Sequence, residues 1–587
     1  MKRAAARKKA SLSLVAVLLG GAVLVATLLA AARGGNSAWA QPSAISSASA
    51  QAPTSPERKI RLLFTGDILL SRQVAAEIRQ RRQSPWQDLS ELFHSADWVG
   101  GNLEGAVGDS SHCPESSARS PCFAITPSLL ALAQSAGFAA LGNENNHAGD
   151  LGAAGRVSTR QALASAELLP LTFATSPAFL RFGAVTVAVV SVSAVAARDG
   201  NPAELPSIEL EQKLRLGRAL ANVVVVSIHW GSELVDWPNQ AQRRQASWLI
   251  AHGADLILGH HPHVVESPEC VAGKPVFFSL GNHVFDQKYP ATKEGLIADC
   301  RLSATTMHCA GLRTHTARGS SFPSDASRDP SVDQTLAACP VELHPALTIA
   351  GYTLRPEPSS PRDDFRGIWI EGFRGPQGDQ RAWRTRPAPV LSLEAGNLAG
   401  RERPPLLLSL EKHASPIDSE PDPRPYVYEV GPHGFIARWR GSALAWPLLD
   451  ARLLPGSDGV LCALHRRDSF LALSPQSKGT RVAAYRWNGF GFDGISDPSV
   501  VSRCRALWDL EAGETGESPA RPERASPGLL MEYSRSYWTS MLCARFPACF
   551  SARNFTVTDL LVAADRSASL ALLPLTLILV AAVTLKL

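Results

Sequence analysis

The chain has 587 residues, of which 45% are apolar and 19% charged, and its net charge at neutral pH is +5. At roughly 100–200 residues per domain this length allows about two to four domains and a sizeable buried core. The charge is small, Lys and Arg are spread out, and no basic patch is interleaved with aromatics, which excludes nucleic acid as a partner.

Residues 1–33 read as a basic cytoplasmic flank followed by a membrane segment. MKRAAARKK carries five positive charges, and Leu12–Ala32 then runs 21 residues without a charge. That is about the ~20 residues needed to cross ~30 Å of hydrocarbon, and positive charge ahead of it holds that end in the cytoplasm. The run exceeds a usual signal core of ~7–15 residues, which favours an uncleaved anchor. A cleaved signal peptide is the alternative, because Ala38-Trp39-Ala40 resembles a processing site. Either way the rest of the chain is exported. Residues 34–57, rich in Ser, Ala, Gln and Pro, read as a tether.

From residue 58 short apolar runs alternate with helical stretches. IRLLFTGD is a strand ending at Asp67, DWVGGNLE one ending at Glu104, and FAALGNENNH one ending at Asn146-His147. Thr159–Leu168 reads as a helix, and 184–193 as a strand with no polar end. NVVVVSIHWG ends at His229, and Gln240–His252 is a helix stopped by Gly253. ADLILGHHPH ends at His261 and His263, and PVFFSLGNH at Asn282-His283. Continuous apolar strands between helices predict a layered α/β domain, bounded here as 58–398. Residues 303–362 are polar and read as an inserted loop, tied by Cys309–Cys339, with 367–373 and 388–393 returning as strands of the same domain. Residues 399–423 form a Pro- and charge-rich linker, and 424–512 a smaller β-rich domain in which Arg-Trp-x-Gly occurs at 438–441 and 486–489. After an irregular or helical segment, 513–565, an apolar run at Ala568–Leu585 reads as a second transmembrane helix.

The ten cysteines are even in number, and an exported chain meets an oxidising compartment, so disulfides are expected. Cys113–Cys122 and Cys543–Cys549 are the local pairs the spacing favours. No C-x-x-C pair is present, which argues against a thiolate zinc site.

The informative pattern is where polar residues fall. Asp67, Glu104, Asn146, His147, His229, His261 and His263 all follow strand-like runs, and in layered α/β domains strand ends converge on one crevice. One such residue alone is an ordinary turn or cap group. Together, carboxylates, an amide oxygen and imidazoles suit a pair of divalent ions, Mn, Fe or Zn rather than Ca.

At these residues the chain resembles the capsule-synthesis CapA family. The matching motifs are Gly66-Asp67, NLE at 102–104, NNHAGD at 145–150, HWGSE at 229–233, GADLILGHHPHVVE at 253–266 and SLGNHVFD at 279–286. The resemblance implies a calcineurin-like metallophosphoesterase fold, a layered β-sandwich with flanking helices. It further implies that Asp67 and His263 hold one metal, that Glu104 bridges, and that Asn146, His229 and His261 hold the second. His147 is then the acid or the donor to a phosphoryl oxygen, and Asp150 orients it. The chain departs from the wider phosphoesterase pattern in two places: Leu69 stands where a ligand His is usual, and Glu104 where an Asp is. His260 or His283 is available to supply the missing nitrogen.

The function expected on this basis is capsule polymer synthesis or export, of the poly-γ-glutamate type, at the cell membrane with the main domain outside the cytoplasm. Its partners are then the membrane, an anionic capsule polymer or phosphoester substrate, and other capsule-synthesis membrane proteins. The competing expectation is a non-catalytic accessory that binds an anionic polymer.

Overall fold

The computed structural model describes residues 59–114, 121–200, 205–324, 330–363, 367–375, 379–414, 421–466 and 479–508. The two expected membrane segments, the segment 513–565 and the Cys543–Cys549 pair lie outside them. Among the described residues no helix is long and apolar enough to cross a membrane.

Two sheets stack to form the first region. One has nine strands, and its main path runs Ser320–Pro323, Thr306–Ala317, Glu294–Leu302, Ile60–Ile68, Trp98–Leu103, Ala140–Gly142 and Leu169–Leu171. The other has six, in the order Glu269–Val271, Lys274–Phe277, Leu256–His260, Val223–His229, Val185–Ser193 and Ala178–Phe182. Their facing sides share one core, in which Leu62, Phe64, Leu169 and Leu171 meet Val187, Val189, Val225 and Leu258. Helices Arg72–Arg81, Ser90–His94, Leu130–Ala136 and Gly152–Ser165 lie outside the first sheet, and Ile208–Leu220 and Gln240–Ala251 outside the second. With both faces covered, the central strands can be apolar throughout, as Val185–Ser193 is. Each Val or Leu fully buried in this way contributes about 1.5–3 kcal/mol relative to exposure. The expected α/β layering is therefore present.

Two glycines let the sheets close at the functional end. A Cβ on Gly66 would lie 2.0 Å from the Gly281 carbonyl oxygen, and one on Gly259 1.8 Å from that of Phe278. No side chain fits either place. These residues directly precede Asp67 and His260-His261, so the absent side chains allow the strand ends to approach.

The expected loop at 303–362 is instead largely ordered. Thr306–Ala317 pairs along Glu294–Leu302, and Ser320–Pro323 continues the sheet. The inward positions of this hairpin include Met307, Cys309, Gly311, Thr314 and Thr316. Small and hydroxyl side chains fill places where aliphatic ones would have shown the period-two pattern. Cys309 does not pair with Cys339. It lies opposite Cys300 in the hairpin register and is bonded to it, while Cys339 is bonded to Cys270. Cys113–Cys122 forms as expected.

A small sheet follows, made of Thr348–Ile349, Tyr352–Pro356, Ile370–Arg374 and Gln380–Arg384. The next region begins earlier than expected. Val390–Gly396 pairs with Leu406–His413, which lies inside the supposed linker, and both join Asp422–Gly431 and Gly434–Arg440 in one sheet. The Leu406–Leu410 run is buried between exposed prolines and a polar end, so neighbouring Pro and charge masked a strand. A second sheet, Leu448–Leu453, Val460–Arg466, Thr480–Trp487 and Phe492–Ile495, shares its core with the first through Leu408, Leu410, Leu461, Ala463 and Tyr485. Cys462–Cys504 fastens helix Pro498–Arg505 to it. The two Arg-Trp-x-Gly copies do not occupy equivalent strands: one ends the fourth strand of its sheet, the other the third. Their Trp439 and Trp487 rings meet edge-on at 6.3 Å.

Candidate metal centre

The strand register builds the site. In the first sheet Asp67 lies level with Asn102 on one neighbour and Asn282 on the other. In the second, His260 lies level with His229, and His229 with Ser193. Beyond His260 the backbone turns, and His261 and His263 adopt positive φ values of 98° and 60°. That turn points successive histidines towards the first sheet's acids.

Asp67 is fully buried. It accepts from the Asn102 amide at 2.9 Å and from the His261 backbone N–H at 3.2 Å. Its oxygens also lie 3.2 Å from Nδ1 of His260 and 3.2 Å from Nδ1 of His263. Burial raises its pKa, but the two histidines outweigh burial and hold it well below the usual carboxylate range. Glu104 shifts the other way. It is equally buried, neither carboxylate oxygen has a hydrogen-bond donor among the described residues, and burial drives its pKa well above the usual range. His229 Nε2 is 3.9 Å from one of its oxygens and His263 Nε2 3.8 Å from the other. Glu104 thus stands between two imidazoles.

His229 Nε2 also lies 2.9 Å from Asn146 Oδ1, and its ring is 4.7 Å from that of His261. Burial, then the proximity of His261, moves the His229 pKa well down. His261 is lowered to about 4, by burial and then by the charge of His263. His263 is raised to about 9: burial opposes this, but the facing Glu104 and Asp67 carboxylates prevail.

His147 and Asp150 sit at the open side, on the wall of a cavity of about 440 Å³ that Arg72, Phe123, Arg198 and His263 also line. Asp150 lies 2.9 Å from His147 Nδ1 and accepts from the Phe123 N–H at 2.6 Å. The His147 ring stacks on Phe123 with centroids 3.9 Å apart. Such a contact fixes Nδ1 as the donor to the carboxylate and leaves Nε2 for chemistry.

All eight site residues expected from the sequence therefore gather at one end of the first sandwich. Asp67, Glu104 and His263 offer ligand atoms within 4.8 Å of one another, and so do Glu233, His261 and His263. The full burial of a carboxylate with no donor fits a cation-binding role, because an isolated buried charge is otherwise costly. Of the two histidines considered for the place of Leu69, His260 is in the site. His283 is not: its ring lies against Phe93 and Phe138, and burial lowers its pKa to about 3. Leu69 itself is buried with Phe123 and Phe285.

Sequence reasoning missed three amides and one acid. Asn102 ties Asp67 to Asn145, whose own amide also donates to the Leu103 carbonyl. Asn282 accepts from, or is oriented by, His263 Nδ1 at 3.0 Å. Asn102 shares a strand face with Glu104 two positions on, which was the available signal. Glu233 reads in the sequence as an ordinary surface group. It is exposed, yet its carboxylate reaches His261 and His263.

Residues 61–287 match the family model described as bacterial capsule synthesis protein PGA_cap. The PGA biosynthesis protein CapA of Bacillus subtilis (strain 168) is 31% identical over 254 residues, covering 41% of this chain and 67% of that protein. The capsule biosynthesis protein CapA of Bacillus anthracis is 28% identical over 264 residues, covering 42% and 64%. Among solved structures, a hypothetical protein from Thermus thermophilus aligns with 14% identity and a TM-score of 0.27, covering 43% of this chain and 99% of that one. A novel phosphatase from Mycoplasma pneumoniae aligns with 11% identity and a TM-score of 0.26, covering 45% and 92%. The matched segment contains every residue of the centre, and on the family model and the Bacillus relatives the chain belongs to the CapA capsule-synthesis family.

Proposed function

We propose that this CapA-family chain serves capsule polymer production, of the poly-γ-glutamate type, as a membrane-anchored protein with a metal-dependent hydrolytic site of the phosphoesterase kind outside the cytoplasm. The observation that carries the reading is Glu104, a fully buried carboxylate without a donor among the described residues, flanked by His229 and His263. Asp67, Glu104 and His263 would hold one divalent ion, and Glu104, Asn146, His229 and His261 a second, of Mn, Fe or Zn. When bound, such ions supply Lewis acidity and a nucleophile near neutral pH.

The chain's own residues do the rest. Asn102 and Asn282 hold Asp67 and His263 in place. His147 carries a proton at Nε2 towards the leaving oxygen, and Asp150 sets its tautomer. Arg72, which is paired with Asp286, and Arg198, which lies 3.9 Å from Asp150, place positive charge on the cavity wall where an anionic substrate would enter. Those two guanidiniums also favour a second reading, in which the site binds an anionic polymer without cleaving it.

The experiment is metal analysis of the full-length purified protein together with turnover of a generic aryl phosphate. Metal with turnover supports the hydrolase, metal without turnover supports the binding module, and a metal-free protein that takes up no ion overturns both.

A further inference from the structure

Apart from the metal centre, a second polar cavity of about 460 Å³ lies where strand Ala178–Phe182 meets the small sheet. Its wall carries three arginines, Arg181, Arg355 and Arg381, and two acids, Glu371 and Asp379. Two of the arginines are already engaged: Arg181 and Arg381 donate to the two oxygens of Glu371 at 2.5 and 2.7 Å. Arg355 is different. It is only 7% exposed, it lines the cavity, and its guanidinium has no hydrogen-bonding acceptor among the described residues. It lies over the face of Phe373, 4.9 Å away, a ring that Arg181 also approaches at 5.6 Å.

Two guanidiniums over one ring, with a single carboxylate bonded to only one of them, leave a donor fork unanswered. Burial, and then the nearby Arg181 charge, lower the Arg355 pKa, and the Asp379 carboxylate only partly opposes them. An arginine remains charged all the same, and its donors face the cavity.

The geometry points to this cavity as a binding site for a carboxylate group of a ligand, with Arg355 as its principal donor. Three arginines against two acids leave one positive charge, which matches a monoanionic carboxylate better than a dianionic phosphate. Glu371 already shows that neighbouring arginines hold a carboxylate here. The planar fork of Arg355 suits the two oxygens of such a group. On the reading above, a γ-linked glutamyl chain offers one carboxylate per residue; the site itself stands independently of the metal centre.

The test is calorimetric titration of the full-length protein with a γ-linked glutamyl oligomer, with free glutamate and with inorganic phosphate. It is run on the wild type, on Arg355→Gln, and on Arg381→Gln, whose side chain is exposed and whose loss does not threaten folding. Expected are oligomer binding to the wild type, at least about tenfold weaker binding in Arg355→Gln, and a smaller loss in Arg381→Gln, as befits one charge-assisted hydrogen bond. Binding of free glutamate alone would identify a small-molecule carboxylate as the source and still support the site. Equal affinity in all three proteins, no carboxylate binding at all, or phosphate binding more tightly than either carboxylate would overturn it. Metal content is unaffected in these variants, so failure of this site and failure of the proposed metal centre are read separately.

Discussion

Two buried carboxylates, Asp450 of the second sandwich and Glu104 of the first, are treated in opposite ways. In the second, Asp450 is fully buried and accepts from Gln212, Arg215, Arg452 and Trp508, at 3.1, 2.6, 2.9 and 2.9 Å. Burial opposes ionisation there, but the two guanidiniums prevail and its pKa is lowered. Glu411 nearby accepts from Ser409 and Tyr428. In the first sandwich Glu104 is buried as deeply and has no donor among the described residues. Asp450, buried and answered, holds architecture together; Glu104, buried and unanswered, fits the proposed role of holding a cation.

The largest effects expected from this contrast are at the metal centre. On the proposed function, His147→Ala should keep metal and lose turnover by about 10²–10⁴-fold, because its proposed role is proton donation. His261→Ala and His263→Ala should lose metal, and His263→Ala the more readily, since His263 belongs to both candidate ligand clusters and His261 to one. Elemental analysis of the three variants decides the matter. Wild-type metal content in both His261→Ala and His263→Ala would sink the centre.

Asp450→Asn comes next. It removes the charge that Arg215 and Arg452 share, leaving Arg215 to Glu394 and Arg452 to Glu211, and weakening a buried ionic cluster in this way costs about 3 kcal/mol. Chemical denaturation should show that loss with metal content unchanged. A cost under about 1 kcal/mol would break the comparison.

His465, also in the second sandwich, is fully buried between the Trp446 carbonyl at 3.0 Å and the Tyr485 hydroxyl at 3.1 Å. Burial lowers its pKa to about 4. The unfolded chain therefore binds the extra proton first, and stability falls as pH drops from about 6.5 to about 4, by about 3 kcal/mol in all. His465→Gln should flatten that part of the stability–pH curve. An unchanged slope would show that the ring is accessible to protons in the folded state.

The smallest effect has the opposite sign to that of Asp450. Without metal, Glu104→Gln should leave the unfolding free energy unchanged or raise it, by about 1 kcal/mol at most, because no hydrogen bond is lost. A clear drop in melting temperature would make Glu104 a structural group after all.

Much of the centre was legible in the sequence, because acids, an amide and imidazoles at the ends of several apolar strands are unusual as a set, though each alone is ordinary, and the strands carrying them are continuous runs. The amides were harder. Asn102, Asn145 and Asn282 are also common turn residues, and only the register shows that Asp67 lies level with two of them. Glu233 was hidden because exposure and ligation look alike in sequence. The hairpin at 306–317 escaped because Cys, Gly and Thr fill its inward positions, and the strand at 406–413 because prolines and charges surround it. The partner of Cys309 could not be read from spacing, since pairing follows the hairpin register.

The left-handed backbone at His261 and His263 has a consequence for anyone engineering this protein. Residues other than glycine pay about 1–3 kcal/mol each to hold such conformations. A screen that rewards thermal tolerance alone would therefore drift towards glycine at position 261, where φ is 98°. Its winners would be sturdier proteins with a hole in the proposed ligand set. Selection for heat resistance and selection for metal retention pull this turn in opposite directions, so a library built here has to be sorted on both.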